Sequence, residues 1–408
     1  MKNNVQHDVA VVGAGPAGLA AALSIARQGV RVAVVAPSNS HPDNRTAALF
    51  TGSQQLLRNL GAWDDCSACG EPLLAIRIID DMGSLLRAPE VVFTAAEVGL
   101  SALGCNIPNV VLTQALRRQA IASDAITFIE TSLVGLDIGP ASADLRLADG
   151  TGLSARLVIG ADGRKSPCRS AAGIGAREWA YQQSALTCTF AHQRPHDGIS
   201  TEFHRPAGPL TVVPSHGRSS SLVWVDRPAI AQRLAALGDT AFRGALEARL
   251  QGLLGAIGEI GPRGVFPLSG LVVEIAARNR VALVGEAAHV IPPIGAQGLN
   301  LGLRDAALIA DCVADALQLG GDIGSPLTLD AYARARRLDI VTRAWSIDLL
   351  NRSLISAYLP VQLMRGIGLH ALRSIGPLRR LAIREGLAPS YVAPKLMREG
   401  QAASGEAP

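Results

Sequence analysis

Residues 8–18 read Asp-Val-Ala-Val-Val-Gly-Ala-Gly-Pro-Ala-Gly. A short apolar run, Asp8–Val12, leads directly into a GxGxxG turn built on Gly13, Gly15 and Gly18. Leu19–Gln28, rich in Ala and Leu, predicts a helix, Gly29 supplies its C-terminal cap, and Val30–Val35 predicts a second buried strand. GxGxxG alone is a weak signal, but strand, turn, helix and strand in this order give each glycine a physical task. Gly13 permits the tight turn, Gly15 lets backbone approach a pyrophosphate, and Gly18 lets the helix close on the sheet. The helix N-terminus offers unpaired N–H groups and a partial positive charge to phosphate. Gly13, Gly15, Ala17 and Gly18 are therefore the candidate phosphate-side residues of a dinucleotide site. The acid that usually follows the second strand and binds ribose is absent. Ala36-Pro37-Ser38-Asn39 stands there, so the ribose partner stays unassigned, with Ser38 and Asn39 as candidates.

Working outward, 408 residues suffice for two or three domains around a large core. A hydrophobic share of 48% with 18% charged residues reads as folded and globular. Only 4% are aromatic and the formal charge is +4, so no nucleic-acid partner is expected. The charge is uneven: residues 331–400 hold twelve Arg or Lys against four Asp or Glu. That pattern fits either a solvated helical face or a surface that meets acidic lipid. The six Cys read as reduced thiols, and Cys66-Ser-Ala-Cys69 is a lone CxxC without a second pair, so no metal site is expected. No cleavable leader is read at Met1–Asn4, and no stretch reaches the ~18 apolar residues of a membrane span. A cytoplasmic location is expected, with contact to the inner face of a membrane left open.

Further along, residues 73–98 look strand-like and Gln114–Ser123 helical. Leu157–Gly160 is a buried strand that ends in Ala161-Asp162-Gly163. Residues 185–270 alternate between Pro and Gly turns, as an antiparallel sheet would. Arg280–Val284 is another buried strand, followed by a Gly- and Pro-rich turn and a helix from about Leu299. Beyond residue 330 the spacing is helical, with breaks expected at Pro360 and Pro377. Gln401–Pro408 reads as a frayed tail.

Two later segments narrow the cofactor. One is Gly160-Ala161-Asp162-Gly163-Arg164-Lys165-Ser166-Pro167-Cys168-Arg169. The other is Gly285-Glu286-Ala287-Ala288-His289, continuing through Pro293 to Gln297-Gly298-Leu299-Asn300-Leu301-Gly302-Leu303-Arg304-Asp305. With the N-terminal turn, these resemble the three motifs of flavin-dependent aromatic hydroxylases of the para-hydroxybenzoate hydroxylase type. More narrowly, the last run is similar to that of the ubiquinone-biosynthesis hydroxylases, as are Asp43–Leu49, the stretch from Phe203 to Trp224 and the basic C-terminal helices. The likeness extends from Val9 to about Leu387.

The resemblance implies an α/β fold. A Rossmann-like FAD-binding domain (1–72 with 99–175 and 271–330) would carry an inserted antiparallel β-sheet substrate domain (73–98 with 176–270). A C-terminal helical region (331–400) would follow. It implies FAD as cofactor and NADPH or NADH as co-substrate. Asp162 and Gly163 would help hold FAD. Gly285 and Glu286 would face the ribityl chain, Glu286 standing where the family often has Asp. Pro293 leads to Gly298, Leu299 and Asn300, which would present backbone N–H groups to the flavin N1–C2=O edge. Ala296 stands where relatives commonly have Gly, a position at which Ala is restricted. Arg45 would be a flavin-side contact, or simply a surface salt bridge. His289 reads as structural. No catalytic side chain is assigned, because the cofactor carries the chemistry.

The implied reaction takes electrons from NAD(P)H, captures O2 as a flavin C4a-hydroperoxide and hydroxylates the ring of a polyprenylated phenol on the way to ubiquinone. Such a substrate implies contact with a membrane or with a ubiquinone-biosynthesis complex. The apolar series Leu369, Leu372, Ile375, Leu378 and Leu381, among Arg365, Arg373, Arg379, Arg380 and Arg384, is a candidate lipid-facing segment. Competing readings are a flavin hydroxylase of a soluble aromatic compound, a non-catalytic flavin-binding assembly subunit, and a flavin-dependent reductase of prenyl chains.

Overall fold

The structure, a computed structural model, describes residues 5–38, 43–83, 89–293, 295–355, 368, 370, 374–387 and 393–398. Asn39, Pro360, Arg365, Leu369, Leu372, Arg373 and the tail 401–408 lie outside the described residues, as does the side chain of Leu378.

Val5–Val12 forms the centre of an eight-stranded sheet. Its neighbours are Val32–Val35 on one side and Gly152–Gly160 on the other, both parallel to it. Ile126–Ile129 extends the first side and Val281–Leu283 the second, again in parallel. These strands are apolar at nearly every position because both faces are covered. Val9, Val11, Val32, Val34, Leu157 and Ile159 are all buried. The helix Pro16–Ala26 starts with Pro at its first turn, ends before Gly29 at φ +76°, and packs between the helices Asn109–Ile121 and Gln297–Gln318.

A second sheet of nine strands stands beside the first. Ala176–His192 is its long central strand, paired antiparallel with Ser219–Asp226 and with Gly264–Val273. Ala75–Asp80 joins it in parallel with Ile199–His204, which brings the early strand-like stretch into this sheet. The alternating pattern read across 185–270 holds for the strands but not for 228–250. Those residues form two helices, Pro228–Ala236 and Asp239–Leu250, which cover one face of the sheet. Phe242, Leu246 and Leu250 recur at helical spacing and pack on Leu186, Phe190, Leu222 and Trp224.

Among its described residues the C-terminal part is largely helical, as expected. Pro326–Ile355 runs for 30 residues, and Gly376–Leu387 begins at the predicted break, with Pro377 in its first turn. The long helix is not an appendage. Tyr332, Arg336 and Asp339 are buried against the first domain, and the Tyr332 hydroxyl donates to the Leu283 carbonyl at 2.8 Å. Among the described residues no helix is long and apolar enough to cross a membrane.

Candidate active site

Three neighbouring parallel strands end at one edge of the first sheet, and each runs into one of the three motifs. Val12 lies opposite Gly160, and Gly160 opposite Leu283. Segments more than a hundred positions apart are thus set side by side at the carboxyl ends of strands, where ligands bind in open α/β sheets.

The glycine turn is shaped by two close approaches and one opening. A Cβ on Gly13 would stand 2.2 Å from the Ala161 carbonyl oxygen, and one on Gly18 would stand 2.1 Å from the Gly13 oxygen. Any side chain there would push the turn off the neighbouring strand. A Cβ on Gly15 would meet nothing within 4 Å, so the space before the helix is open. That helix has no side-chain cap, and the N–H groups of Ala17 and Gly18 lack intrahelical acceptors.

In the second motif, Asp162 Oδ2 accepts the Cys168 N–H at 2.9 Å, while Oδ1 is buried without a partner. Gly163 has φ +79° and open space at its Cα. Arg169 ties this loop to the third motif. It donates to the Ala287 carbonyl at 3.0 Å and to the Arg164 carbonyl at 2.8 Å.

The third motif starts with Gly285 at φ +61°, packed so tightly that a Cβ would lie 3.2 Å from the Ala17 methyl. Ala17 therefore acts as a spacer between motifs as well as part of the first turn. Glu286 follows it and is exposed. Arg45 pairs with Asp43 at 2.8 Å, and its guanidinium sits 5.0 Å from the centre of the Phe266 ring. The hydrogen bond to Asp43 raises the Arg45 pKa, burial works against that rise, and nearby Glu286 adds to it. Burial works to raise Asp43, but hydrogen bonds from Arg45 and Asn109 outweigh it and hold the carboxyl below its usual range. Of the two readings of Arg45, the salt bridge is what the geometry shows, and the guanidinium also lies in the field of Glu286.

Pro293 is exposed and leads to Ala296, which precedes the helix Gln297–Gln318 in the left-handed region at φ +53° with no side-chain cap. Gly298 and Leu299 lie in the first turn, where backbone N–H groups point outward. The Asn300 side chain is fully engaged elsewhere. Its Oδ1 accepts from the Phe50 N–H (3.0 Å) and the Ser53 hydroxyl (2.7 Å), and its Nδ2 donates to the Ala48 (2.8 Å) and Ala296 (2.7 Å) carbonyls. Asn300 therefore anchors the helix start to the segment around residue 50.

Behind this helix lies a buried charge network that sequence reading did not find. Asp305 accepts from the Gly285 N–H at 2.9 Å, from His289 Nε2 at 2.7 Å and from Arg336 Nε at 2.5 Å. Arg336 continues to Asp339 at 2.6 Å, and Asp339 also holds Arg304 and Arg343. Arg343 reaches Gln297 at the first position of the helix. Burial opposes ionisation of Asp305, yet Arg336 and His289 outweigh it and lower the pKa. Arg336 shows the converse: burial works to lower it, but Asp305 and Asp339 raise it further. His289 is structural, as read from the sequence, because its role here is to brace Asp305. Arg336, Asp339 and Arg343 did carry a signal: they recur at i, i+3 and i+7 on a helix, with Asp between two Arg.

The second sheet turns one face away from its covering helices. Leu186, Cys188, Leu222 and Trp224 face the two covering helices, so by strand alternation Ala185, Thr187 and Val223 face the other way. Phe266 pairs with Ala185 and shares that face, below Arg45. A bond of 3.0 Å from the Thr46 hydroxyl to Ser221 ties this face to the first domain. Phe266, Arg45 and the turn that carries Glu286 are thus neighbours on this side of the sheet.

The FAD binding domain family matches residues 6–346. The chain is 35% identical to ubiquinone hydroxylase UbiL of Rhodospirillum rubrum, covering 96% of this chain and 92% of that one. It belongs to the family of the FAD-dependent ubiquinone-biosynthesis hydroxylases. A second relative in this hydroxylase family, the 3-demethoxyubiquinol 3-hydroxylase of Escherichia coli, is 32% identical over 94% of this chain and 99% of its own. The fold is that of p-nitrophenol 4-monooxygenase from Pseudomonas putida, with a TM-score of 0.78 at 19% identity over 96% of this chain and 100% of that one. The hydroxylase uses FAD, and the residues fit it: open space before Gly15, an unpartnered Asp162 oxygen, an exposed carboxylate at Glu286 and two uncapped helix starts.

Proposed function

We propose that this hydroxylase oxidises the ring of a polyprenylated phenol on the route to ubiquinone, with NADPH or NADH and O2 as co-substrates. The observation that carries the reading is the convergence of the three motifs at the ends of adjacent strands, opposite a sheet face that carries Phe266. The activities of the Rhodospirillum and Escherichia relatives, a ubiquinone hydroxylase and a 3-demethoxyubiquinol 3-hydroxylase, support the substrate class.

In this reading Gly13, Gly15, Ala17 and Gly18 seat the pyrophosphate of FAD at the first helix. Asp162 and Gly163 take the neighbouring part of the cofactor, and Gly285 and Glu286 the ribityl chain. Arg45 approaches from the flavin side. Pro293 shapes the loop that delivers Gly298, Leu299 and Asn300, where the helix start favours negative charge at the flavin N1–C2=O edge. Bound FAD supplies the exchange of electrons with NAD(P)H and the activation of O2. The sheet face around Ala185, Thr187, Val223 and Phe266 orients the aromatic ring and excludes water. The boundaries 1–72, 99–175 and 271–330 for the cofactor part, with 73–98 and 176–270 for the substrate part, follow from this division of labour. An isoprenoid tail also favours association with a membrane or with a ubiquinone-biosynthesis complex.

The test is product analysis with purified protein, NADPH, O2 and two substrate sets, prenylated phenols and soluble phenols. Hydroxylation of the prenylated set alone supports the reading. Turnover of soluble phenols with none of prenylated ones refutes the substrate class.

A further inference from the structure

The helix Pro326–Ile355 has two unlike faces. Inward it places Tyr332, Arg336, Asp339, Arg343 and Asn351, all buried. Outward it places Leu338, Val341, Trp345 and Leu349, spaced three, four and four residues apart and therefore aligned in one stripe. Trp345 is 67% exposed, Leu338 57% and Leu349 53%. Beside Trp345 runs an open groove of about 470 Å³ whose far wall is Trp179, with Arg177 next to it. A row of large apolar side chains centred on a tryptophan is unusual on a free surface and marks a docking face.

The charges around the stripe select its partner. Exposed Arg334 lies one turn before Leu338, exposed Arg337 one turn before Val341, and exposed Arg352 just after Leu349. The acid of this stretch, Asp348, is engaged by the Tyr181 hydroxyl at 2.5 Å and by Arg352 at 2.8 Å. Glu274 also lines the groove, and Asp330 borders it further along beside Arg334 and Arg337, which with Arg177 and Arg352 leave basic groups in excess. The helix Gly376–Leu387 repeats the chemistry, with Leu381, Arg380 and Arg384 exposed and Ile375 exposed just before it. A second copy of the chain is a poor occupant. A two-fold axis through Trp345 would set Arg337 of one copy against Arg352 of the other, and a parallel pairing would oppose like arginines directly. An apolar stripe with a central Trp and basic ends matches instead the interface of an anionic bilayer. There aromatic rings settle at the headgroup level and arginines reach the phosphates.

We infer that the Leu338–Leu349 face of this helix docks on an anionic lipid surface, with Trp345 entering the headgroup–acyl boundary. This deepens the reading of a lipid-tailed substrate, and it places the contact on the helix that braces the cofactor motifs through Arg336 and Arg343.

The experiment uses the full chain with FAD, without substrate, and phosphatidylcholine vesicles with or without phosphatidylglycerol. Binding is read by flotation and by quenching of tryptophan emission with brominated acyl chains. The wild type is expected to bind only vesicles containing phosphatidylglycerol, less so at high salt. Trp345→Ser with Leu349→Ser should weaken binding at least about tenfold. Arg334→Gln with Arg337→Gln should weaken it about twenty-five-fold, near fivefold per charge. All four side chains are exposed, so FAD content and melting temperature should not change. Absence of wild-type binding, or equal binding by the variants, overturns the inference. So does a wild-type dimer that Trp345→Ser dissociates without any vesicle binding. Because no turnover is measured, either result leaves the hydroxylase reading to its own product test.

Discussion

At Gly13 a methyl group would collide with the Ala161 carbonyl on a backbone held at φ +111°, whereas at Gly15 it would meet only open space. The two substitutions therefore separate fold from ligand. Gly13→Ala is expected to lower the melting temperature of the apoprotein. Gly15→Ala should leave that temperature unchanged and weaken FAD binding about tenfold or more, ~1.4 kcal/mol, in a fluorescence titration. Ala296 presents the opposite case, an L-residue in the left-handed region. Ala296→Gly should stabilise the chain by about 1 kcal/mol, seen as a higher denaturant midpoint. The roles of Gly13 and Gly18 were legible in the sequence, because each steric demand follows from motif spacing. The anchoring role of Asn300 was not, since its partners Phe50 and Ser53 lie about 250 positions earlier.

Between elements, the long C-terminal helix holds the cofactor motifs through Arg336 and Asp305. Arg336→Met leaves Asp305 and Asp339 buried beside fewer positive charges, a loss of about 3–5 kcal/mol. Equilibrium denaturation should show it, with weaker FAD retention because Asp305 also holds the Gly285 N–H. The helix Gly376–Leu387 is fastened differently, by Arg379 on Glu97, the Val92 carbonyl and the Phe93 ring. The hydrogen bond from Arg379 is the main cause that lowers the Glu97 carboxyl to about 2, against a partial opposing effect of burial. A depressed carboxylate stabilises above its ordinary range and loses that contribution as pH falls through the folded value. Hydrogen exchange across 376–387 should thus speed up as pH drops from about 4.5 towards 2, after correction for the intrinsic rate. In Glu97→Gln it should already be fast at neutral pH. The helices at 228–250 escaped the sequence reading because strands flank them on both sides and alternation was extended across them. The spacing of Phe242, Leu246 and Leu250 was the available signal.

For the whole molecule, the order of three motifs was enough to expect an FAD-binding domain with an inserted sheet. It was enough because parallel strands deliver successive loops to one edge. The closure of the site was not legible, since it depends on which face of the Ala176–His192 strand the two unforeseen helices cover. The same limit applies to the charge network, whose members come from three separate elements. The central claim is that these parts make a flavin hydroxylase, and the most direct measurement is the visible spectrum of the purified protein before and after anaerobic NADPH, with NADH and a prenylated phenol as further additions. The account predicts a bound yellow flavin that bleaches with reductant and regains its colour in air. A protein that takes up no flavin even with added FAD, or whose flavin stays oxidised with NADPH, NADH and phenol all present, would contradict it.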